Sequence, residues 1–264
     1  MPNGTRFRLM IVDETLSTHL PMESPAAAHD PLIIALDFSS AREADALVGA
    51  LGRSAGFYKV GMELFASAGI DYVRSLTDRG KRVFLDMKYY DIGETVKRAV
   101  AAVANSGATF LTVHAVGQVM RAAIAGRDEA RDAGRGDSDL KLLAVTVLTS
   151  LDEADLREMG HNCTVSELVA MRVNLARKIG IEGIVASPLE ARAIRLLAGP
   201  EALLVIPGVR SHGAAQGDQK RVATPAEAIS DGADYLVIGR QVTRAADPVA
   251  AVAAIRDELR QPRP

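Results

Sequence analysis

The feature that most constrains the fold is a recurring pattern rather than a recurring residue. From residue 31 onward a short apolar run ends in a polar residue or glycine, and a stretch with helical periodicity follows. The runs are Pro31–Asp37, Phe57–Val60, a third starting at Val83, Phe110–His114, Leu142–Val147, Gly183–Ala186, Ala202–Ile206 and Tyr235–Ile238. They are continuously apolar rather than alternating, as strands are when both faces are buried. Strands that alternate with helices form a parallel sheet, and eight such units close into a barrel. The competing open, doubly wound sheet usually carries a glycine fingerprint after its first strand; here that strand ends Leu36-Asp37-Phe38. The predicted fold is therefore α/β, a single (β/α)8 TIM barrel over residues 31–264, and a chain of 264 residues is long enough for it.

Local signals agree with that frame. Ser39-Ser40 offers an N-cap and Glu43 is placed for a capping box before the helix Ala44–Leu51. Further helices are predicted from after Gly61 to Leu76, over Glu94–Ala104, Val119–Ala133 and Leu189–Leu197, and from Pro248 to Leu259. The helical region after the fifth run breaks near Gly160–Cys163. Residues 1–30 are expected to lie outside the barrel, as a disordered tail or as an over-extended start with Met22 the true initiator; the apolar run Leu9–Val12 is too short for a signal-peptide core.

Composition removes several classes of function. Net charge is −2, with 31 basic and 33 acidic residues, which favours neither nucleic acid nor an anionic membrane. Tryptophan is absent and aromatics are 4%, a poor basis for stacking bases. No apolar stretch is long enough to span a bilayer. The single cysteine, Cys163, rules out an internal disulfide and a cysteine metal cluster, carries no functional signal, and is compatible with a reducing cytoplasm.

The chemistry gathers at the strand ends, where barrel active sites lie. Those ends supply Asp37, Lys59, Asp86, Lys88, His114, Thr149, Arg210 and Arg240. Asp86 and Lys88 are two apart and share a strand face. Asp91 follows where strand should give way to loop. Taken alone, Asp-x-Lys reads as an ion pair capping a strand. Acids and bases converging from three strands are hard to explain as three separate caps, because buried charge is costly unless paired. The ends of strands 7 and 8 of such barrels often hold phosphate, and here they read Ile206-Pro-Gly-Val-Arg210 and Ile238-Gly-Arg240. Ser211–Lys220, rich in Gly, Ala, Gln and Asp, reads either as an ordinary surface loop or as a lid over that phosphate.

These residues resemble one enzyme family. Ala35-Leu-Asp37, Lys59-Val-Gly61, Asp86-Met-Lys-Tyr-Tyr-Asp91-Ile92, Leu148-Thr149-Ser150, Pro207-Gly-Val-Arg210, Gly217-Asp-Gln219, Arg221-Val-x-Thr-Pro225 and Gly239-Arg240 are similar, in order and spacing, to the orotidine 5′-phosphate decarboxylases over roughly residues 31–250. The resemblance implies a metal-free, cofactor-free decarboxylation of orotidine 5′-monophosphate to UMP by a homodimer. It implies Lys88 as proton donor to C6, Asp86 against the substrate carboxylate, and Lys59 and Asp91 completing the charged network, with Asp91 reaching the partner subunit's site. Asp37 and Lys59 would hold the ribose, with Thr149 beside the pyrimidine. Arg210, Gln219, Gly239 and Arg240 would grip the phosphate. The family commonly has Pro-Asn-Thr after Asp-Ile, where this chain has Gly93-Glu94-Thr95; Thr95 survives as a binding residue. It commonly has Gly-Gly near His114, where this chain has Gly117-Gln118, and His114 reads as structural. Two rivals remain: a Mg²⁺-dependent ketose-phosphate synthase, epimerase or decarboxylase on a similar barrel, which also uses Asp-x-Lys-x-x-Asp, and a catalytically silent phosphate-binding barrel.

Overall fold

Eight parallel strands, each hydrogen-bonded to the next, close on themselves in sequence order. The computed structural model describes residues 30–134, 139–211 and 223–260. Strands β1 (Leu32–Ala35), β2 (Phe57–Gly61), β3 (Arg82–Tyr89), β4 (Phe110–His114), β5 (Lys141–Val145), β6 (Gly183–Val185), β7 (Leu203–Pro207) and β8 (Tyr235–Ile238) form the wall. Closure is made by β1 against β8, with Leu32, Ile33 and Ile34 opposite Leu236, Val237 and Ile238.

Around the wall run α1 (Ala41–Leu51), α2 (Met62–Asp78), α3 (Gly93–Ala104), α4 (Gly117–Asp132), α5 (Glu153–Glu158), α6 (Val165–Ile179), α7 (Ala191–Ala198), α8 (Pro225–Ser230), α9 (Arg240–Thr243) and α10 (Pro248–Arg260). The predicted break after β5 is the gap between α5 and α6. Ser40 caps α1, accepting from the Glu43 N–H. The predicted capping box takes a variant form: the Glu43 carboxylate accepts from the hydroxyls of Ser39 and Ser40, at 3.0 and 2.8 Å. The helix predicted after Gly61 is broken at Gly69, whose backbone is not helical. Residues 1–29 of the predicted 1–30 tail and most of the predicted lid lie outside the described residues; Asp30, the last residue of that tail, is instead tied to the barrel, pairing with Arg256 of α10 at 2.5 Å.

Strand period sorts the barrel interior into tiers. Inward-pointing residues recur every second position. The lower tier is aromatic: Phe57, Phe84, Phe110 and Tyr235 meet with ring centroids between 5.2 and 6.0 Å. Arg82 closes this end, its guanidinium 4.3 Å from the centre of the Phe57 ring. Two residues further along the same strands, Phe57 gives way to Lys59, Phe84 to Asp86 and Phe110 to Thr112. The floor is hydrocarbon and the mouth is polar, so the site rests on a packed core.

Candidate active site

The polar tier forms a row of alternating charge. Asp37 lies just past the end of β1, Lys59 on β2, and Asp86 and Lys88 on β3. Lys59 Nζ is 2.8 Å from Asp37 Oδ1 and 4.0 Å from Asp86 Oδ2, and Lys88 Nζ is 2.8 Å from Asp86 Oδ2. Lys59 is 8% exposed, a position an ammonium tolerates only when paired. Burial pushes the Asp86 carboxyl up, but Lys59, Lys88 and the hydroxyl of Thr112 outweigh it and hold the group below its ordinary range. Asp86 is therefore a carboxylate at neutral pH, flanked by two ammonium groups.

β3 is not a regular strand here. Leu85 is opposite Leu111 and Tyr89 is opposite Val113, so three residues of β3 face one of β4. Within this bulge Lys88 takes φ +50°, alone among described non-glycine residues in having positive φ. Such a conformation costs roughly 1–2 kcal/mol for an L-residue. The bulge turns Lys88 toward the same cavity as Asp86.

The cavity, of about 540 Å³, is lined by Asp37, Lys59, Asp86 and Lys88 from the ends of β1, β2 and β3 and by Pro207, Gly208, Arg210, Gly239 and Arg240 from the ends of β7 and β8. Thr149 also lines it. A Cβ added at Gly239 would come no nearer than 4.0 Å to another side chain, so the backbone there is open to an approaching anion. Burial lowers the Arg210 pKa and the neighbouring Arg240 guanidinium lowers it further. Two half-buried cations side by side suit a doubly charged ligand such as phosphate. Among the described residues no group of three or more His, Cys, Asp or Glu is disposed to hold a metal ion. Both Asp86 oxygens already accept hydrogen bonds, from Lys88 and Thr112.

Of the residues singled out in the sequence, Asp37, Lys59, Asp86, Lys88, Thr149, Arg210, Gly239 and Arg240 meet in this cavity. Asp91 and Thr95 do not. Both are exposed, and the Asp91 carboxylate turns back to accept from the Ile92 N–H at 2.6 Å. Gln219 lies outside the described residues. His114 stands apart from the cavity lining, its ring against Tyr90 at 5.6 Å, and burial, Arg172 and Lys88 lower its pKa. Sequence reasoning missed Thr112, Glu63 and Arg244. The strand period with Phe110 gives the inward direction of Thr112 but not its role; Glu63 and Arg244 line the cavity from helix ends, where the sequence gives no such period.

Known proteins agree with this geometry. The sequence pattern of the orotidine 5′-phosphate decarboxylase / HUMPS family matches residues 30–255. A protein of Rhodopseudomonas palustris (strain BisA53) named orotidine 5′-phosphate decarboxylase is 50% identical over 238 residues, 90% of this chain and 98% of its own. One of Methylobacterium sp. (strain 4-46) with the same name is 51% identical over 238 residues, 90% of this chain and 99% of its own. The crystal structure of orotidine 5′-phosphate decarboxylase from Lactobacillus acidophilus superposes with a TM-score of 0.77 at 37% identity, covering 88% of this chain and 100% of that one. A cavity in which alternating ammonium and carboxylate groups face two arginines, in a barrel that these relatives share almost end to end, places the chain in the orotidine 5′-phosphate decarboxylase / HUMPS family.

Proposed function

We propose that this protein decarboxylates orotidine 5′-monophosphate to UMP and CO2, the last step of de novo UMP synthesis, without metal or cofactor. The observation that carries this is the row Asp37–Lys59–Asp86–Lys88 lining one cavity with Arg210 and Arg240. The arginines and the Gly239 backbone take the 5′-phosphate, with Gln219 joining from the segment after β7. Asp37 and Lys59 take the ribose hydroxyls, and Thr149 stands beside the pyrimidine. The substrate carboxylate then points at Asp86 and C6 at Lys88.

The reaction breaks the bond from C6 to the carboxyl carbon. The electron pair stays on C6, CO2 leaves, and a Lys88 ammonium proton forms the new C–H bond. The lysine regains its proton from water. The ring offers the pair no delocalised sink, so a fixed cation beside C6 supplies the stabilisation as charge develops and then acts as general acid. Asp86 contributes twice. It holds Lys88 Nζ at 2.8 Å, and it repels the substrate carboxylate by roughly 4 kcal/mol at ~4 Å and an effective dielectric of ~20. That repulsion ends when CO2 departs. Stabilisation of the carbanion is the larger effect, because only interactions stronger in the transition state raise the chemical rate.

The working unit is a homodimer in which Asp91 and Thr95 of each subunit complete the other's site. Their exposure beside the mouth supports this, as do the flanking apolar side chains, Tyr90 at 68% and Ile92 at 73% exposed. A cytoplasmic location fits a lone, unpaired cysteine.

The test is the ultraviolet absorbance of orotidine 5′-monophosphate mixed with purified protein, with and without EDTA. Conversion to UMP unaffected by EDTA is expected. Loss of conversion in EDTA would favour the Mg²⁺-dependent rival, and no conversion in either case the silent phosphate-binding barrel.

A further inference from the structure

Thr112 is the one uncharged member of the polar tier that touches both groups of the proposed proton-delivery pair. It lies in β4, fully buried at 0% exposure, with its side chain pointing into the barrel between Phe110 and His114. Its hydroxyl makes two hydrogen bonds of 2.9 Å: it donates to Asp86 Oδ1 and accepts from the backbone N–H of Lys88.

The second bond is unusual in origin. In a regular parallel pair the Lys88 N–H would meet a β4 carbonyl. The bulge, with three β3 residues opposite the single residue Thr112, removes that ladder partner. A buried N–H without an acceptor is rare because leaving one unmade is costly. The Thr112 hydroxyl stands in for the missing carbonyl, at the residue whose φ is +50°. The same oxygen carries the proton that it gives to Asp86. Lys88 and Asp86 are thus tied through one atom, in addition to their own 2.8 Å ion pair.

We propose that Thr112 is a positioning residue for the decarboxylation: its buried hydroxyl locks the strained backbone of Lys88 to the carboxylate of Asp86 and so fixes the ammonium where C6 is to be protonated. This rests on the function proposed above. Thr112 touches neither substrate nor cavity, and acts through the two residues that do. Without the hydroxyl, Lys88 has no side-chain tether for its strained backbone, and Asp86 loses one of its donors. The expected consequence is a fault in the chemical step rather than in binding, since the proposed phosphate contacts, Arg210, Gly239 and Arg240, come from the ends of β7 and β8 and Thr112 touches none of them.

The experiment compares wild type, Thr112→Val, Thr112→Ala and Thr112→Ser in full-length protein, by steady-state decarboxylation of orotidine 5′-monophosphate and by thermal melting. Losing a hydrogen bond to a charged group predicts a fall in kcat of about 10- to 100-fold for Thr112→Val, with KM within about 3-fold. Thr112→Ser keeps the hydroxyl, so it restores kcat to within about 3-fold although it loses the same methyl packing as Thr112→Ala. Thr112→Ala repeats the defect, and decides the matter if Thr112→Val does not fold. Unchanged kcat in Thr112→Ala with an active wild type would overturn the inference and leave the proposed function standing. So would a Thr112→Ser defect as deep as that of Thr112→Ala, which would make the role one of packing. An inert wild type would overturn both.

Discussion

Replacing Lys88 with alanine tests the division of labour inside the site most directly. Lys88 Nζ is the group placed to meet C6, and it is bound to Asp86 Oδ2 at 2.8 Å. A unit charge developing ~4 Å from a fixed ammonium, at an effective dielectric of ~20, is stabilised by roughly 4 kcal/mol, or about 10³ in rate. Proton delivery by a positioned acid is worth a further 10²–10⁴, roughly. The two together predict a loss in kcat of about 10⁵- to 10⁷-fold for Lys88→Ala. Binding should behave otherwise. UMP has no carboxylate at C6, and its phosphate is proposed to meet Arg210 and Arg240, which line the cavity from the ends of β7 and β8. Its affinity, measured by titration calorimetry, should change by less than about 3-fold. The backbone provides a control. Alanine at position 88 retains the positive φ that lysine adopts, whereas Lys88→Gly relieves it. The glycine variant should be equally inactive yet more stable than the alanine variant by about 1 kcal/mol, which for a domain of this size raises Tm by roughly 2–4 °C. A fall in kcat smaller than about 100-fold would refute the proton-donor role. Loss of UMP affinity in step with kcat would show that Lys88 serves binding instead.

Three other substitutions probe the rest of the site. Arg240→Ala should weaken UMP by about 10- to 100-fold, the worth of a charge-assisted hydrogen bond, and leave uridine within about 3-fold; equal losses would place the phosphate elsewhere. Mixing Lys88→Ala with Asp91→Ala subunits and allowing exchange should recover about a quarter of wild-type activity, because half the dimers then carry one intact site; no recovery would put Asp91 in its own subunit's site, and full activity of Asp91→Ala alone would put it in none. Gly61 has ordinary extended backbone, φ −96°, so nothing in its conformation requires glycine. A Cβ there would lie 2.9 Å from Lys59 Nζ and 3.5 Å from Asp37 Oδ1. Gly61→Ala should therefore leave the melting temperature unchanged while displacing Lys59 and lowering kcat/KM by about 10-fold. Gly49→Ala, whose Cβ meets nothing within 4 Å, is the matched control and should have no effect.

The strands were legible because burial on both faces leaves a mark that composition cannot hide. All eight runs begin within one residue of a strand in the structure, and the fifth run, Leu142–Val147, overshoots the end of β5 (Lys141–Val145). The charged residues at the strand ends were legible for the opposite reason: a charge following an apolar run demands an explanation. Thr112 and Gly61 were not. Threonine is a good strand former, so inside Phe110-Leu-Thr-Val-His114 it looks like propensity alone. Glycine at a strand end looks like punctuation. Their roles depend on a neighbouring strand and on the path of a lysine side chain, and neither relation exists along the sequence. The turn at Lys88 is equally silent, because a lysine forced into positive φ by surrounding structure has no residue signature of its own. Asp91 and Thr95 illustrate a further limit. A single chain leaves both on its surface, and the role proposed for them needs a second copy.

Burial and pairing of charge decide where the chain is free to depart from the pattern its family commonly shows. Lys59, Asp86 and Thr112 are the buried members of the polar tier, and each is satisfied by the others or by a more exposed neighbour: Lys59 by Asp37, Asp86 by Lys88 and Thr112. Changing one strands its partner in a low-dielectric site, at a cost above the worth of the lost contact. Gly93 and Gln118 lie outside the tier. A Cβ built on Gly93 would be 3.5 Å from Gln118 Nε2, 3.7 Å from Gln118 Cγ and 3.6 Å from Ala122 Cβ. The two departures are therefore neighbours, at the facing starts of α3 and α4, and form one packing change. Where the family has a ring at one position and no side chain at the other, this chain has the long side chain opposite the bare backbone. The exchange alters the rim beside Asp91 without stranding any buried charge, so the row from Asp37 to Lys88 keeps its geometry while the surface that a second subunit would meet is free to differ.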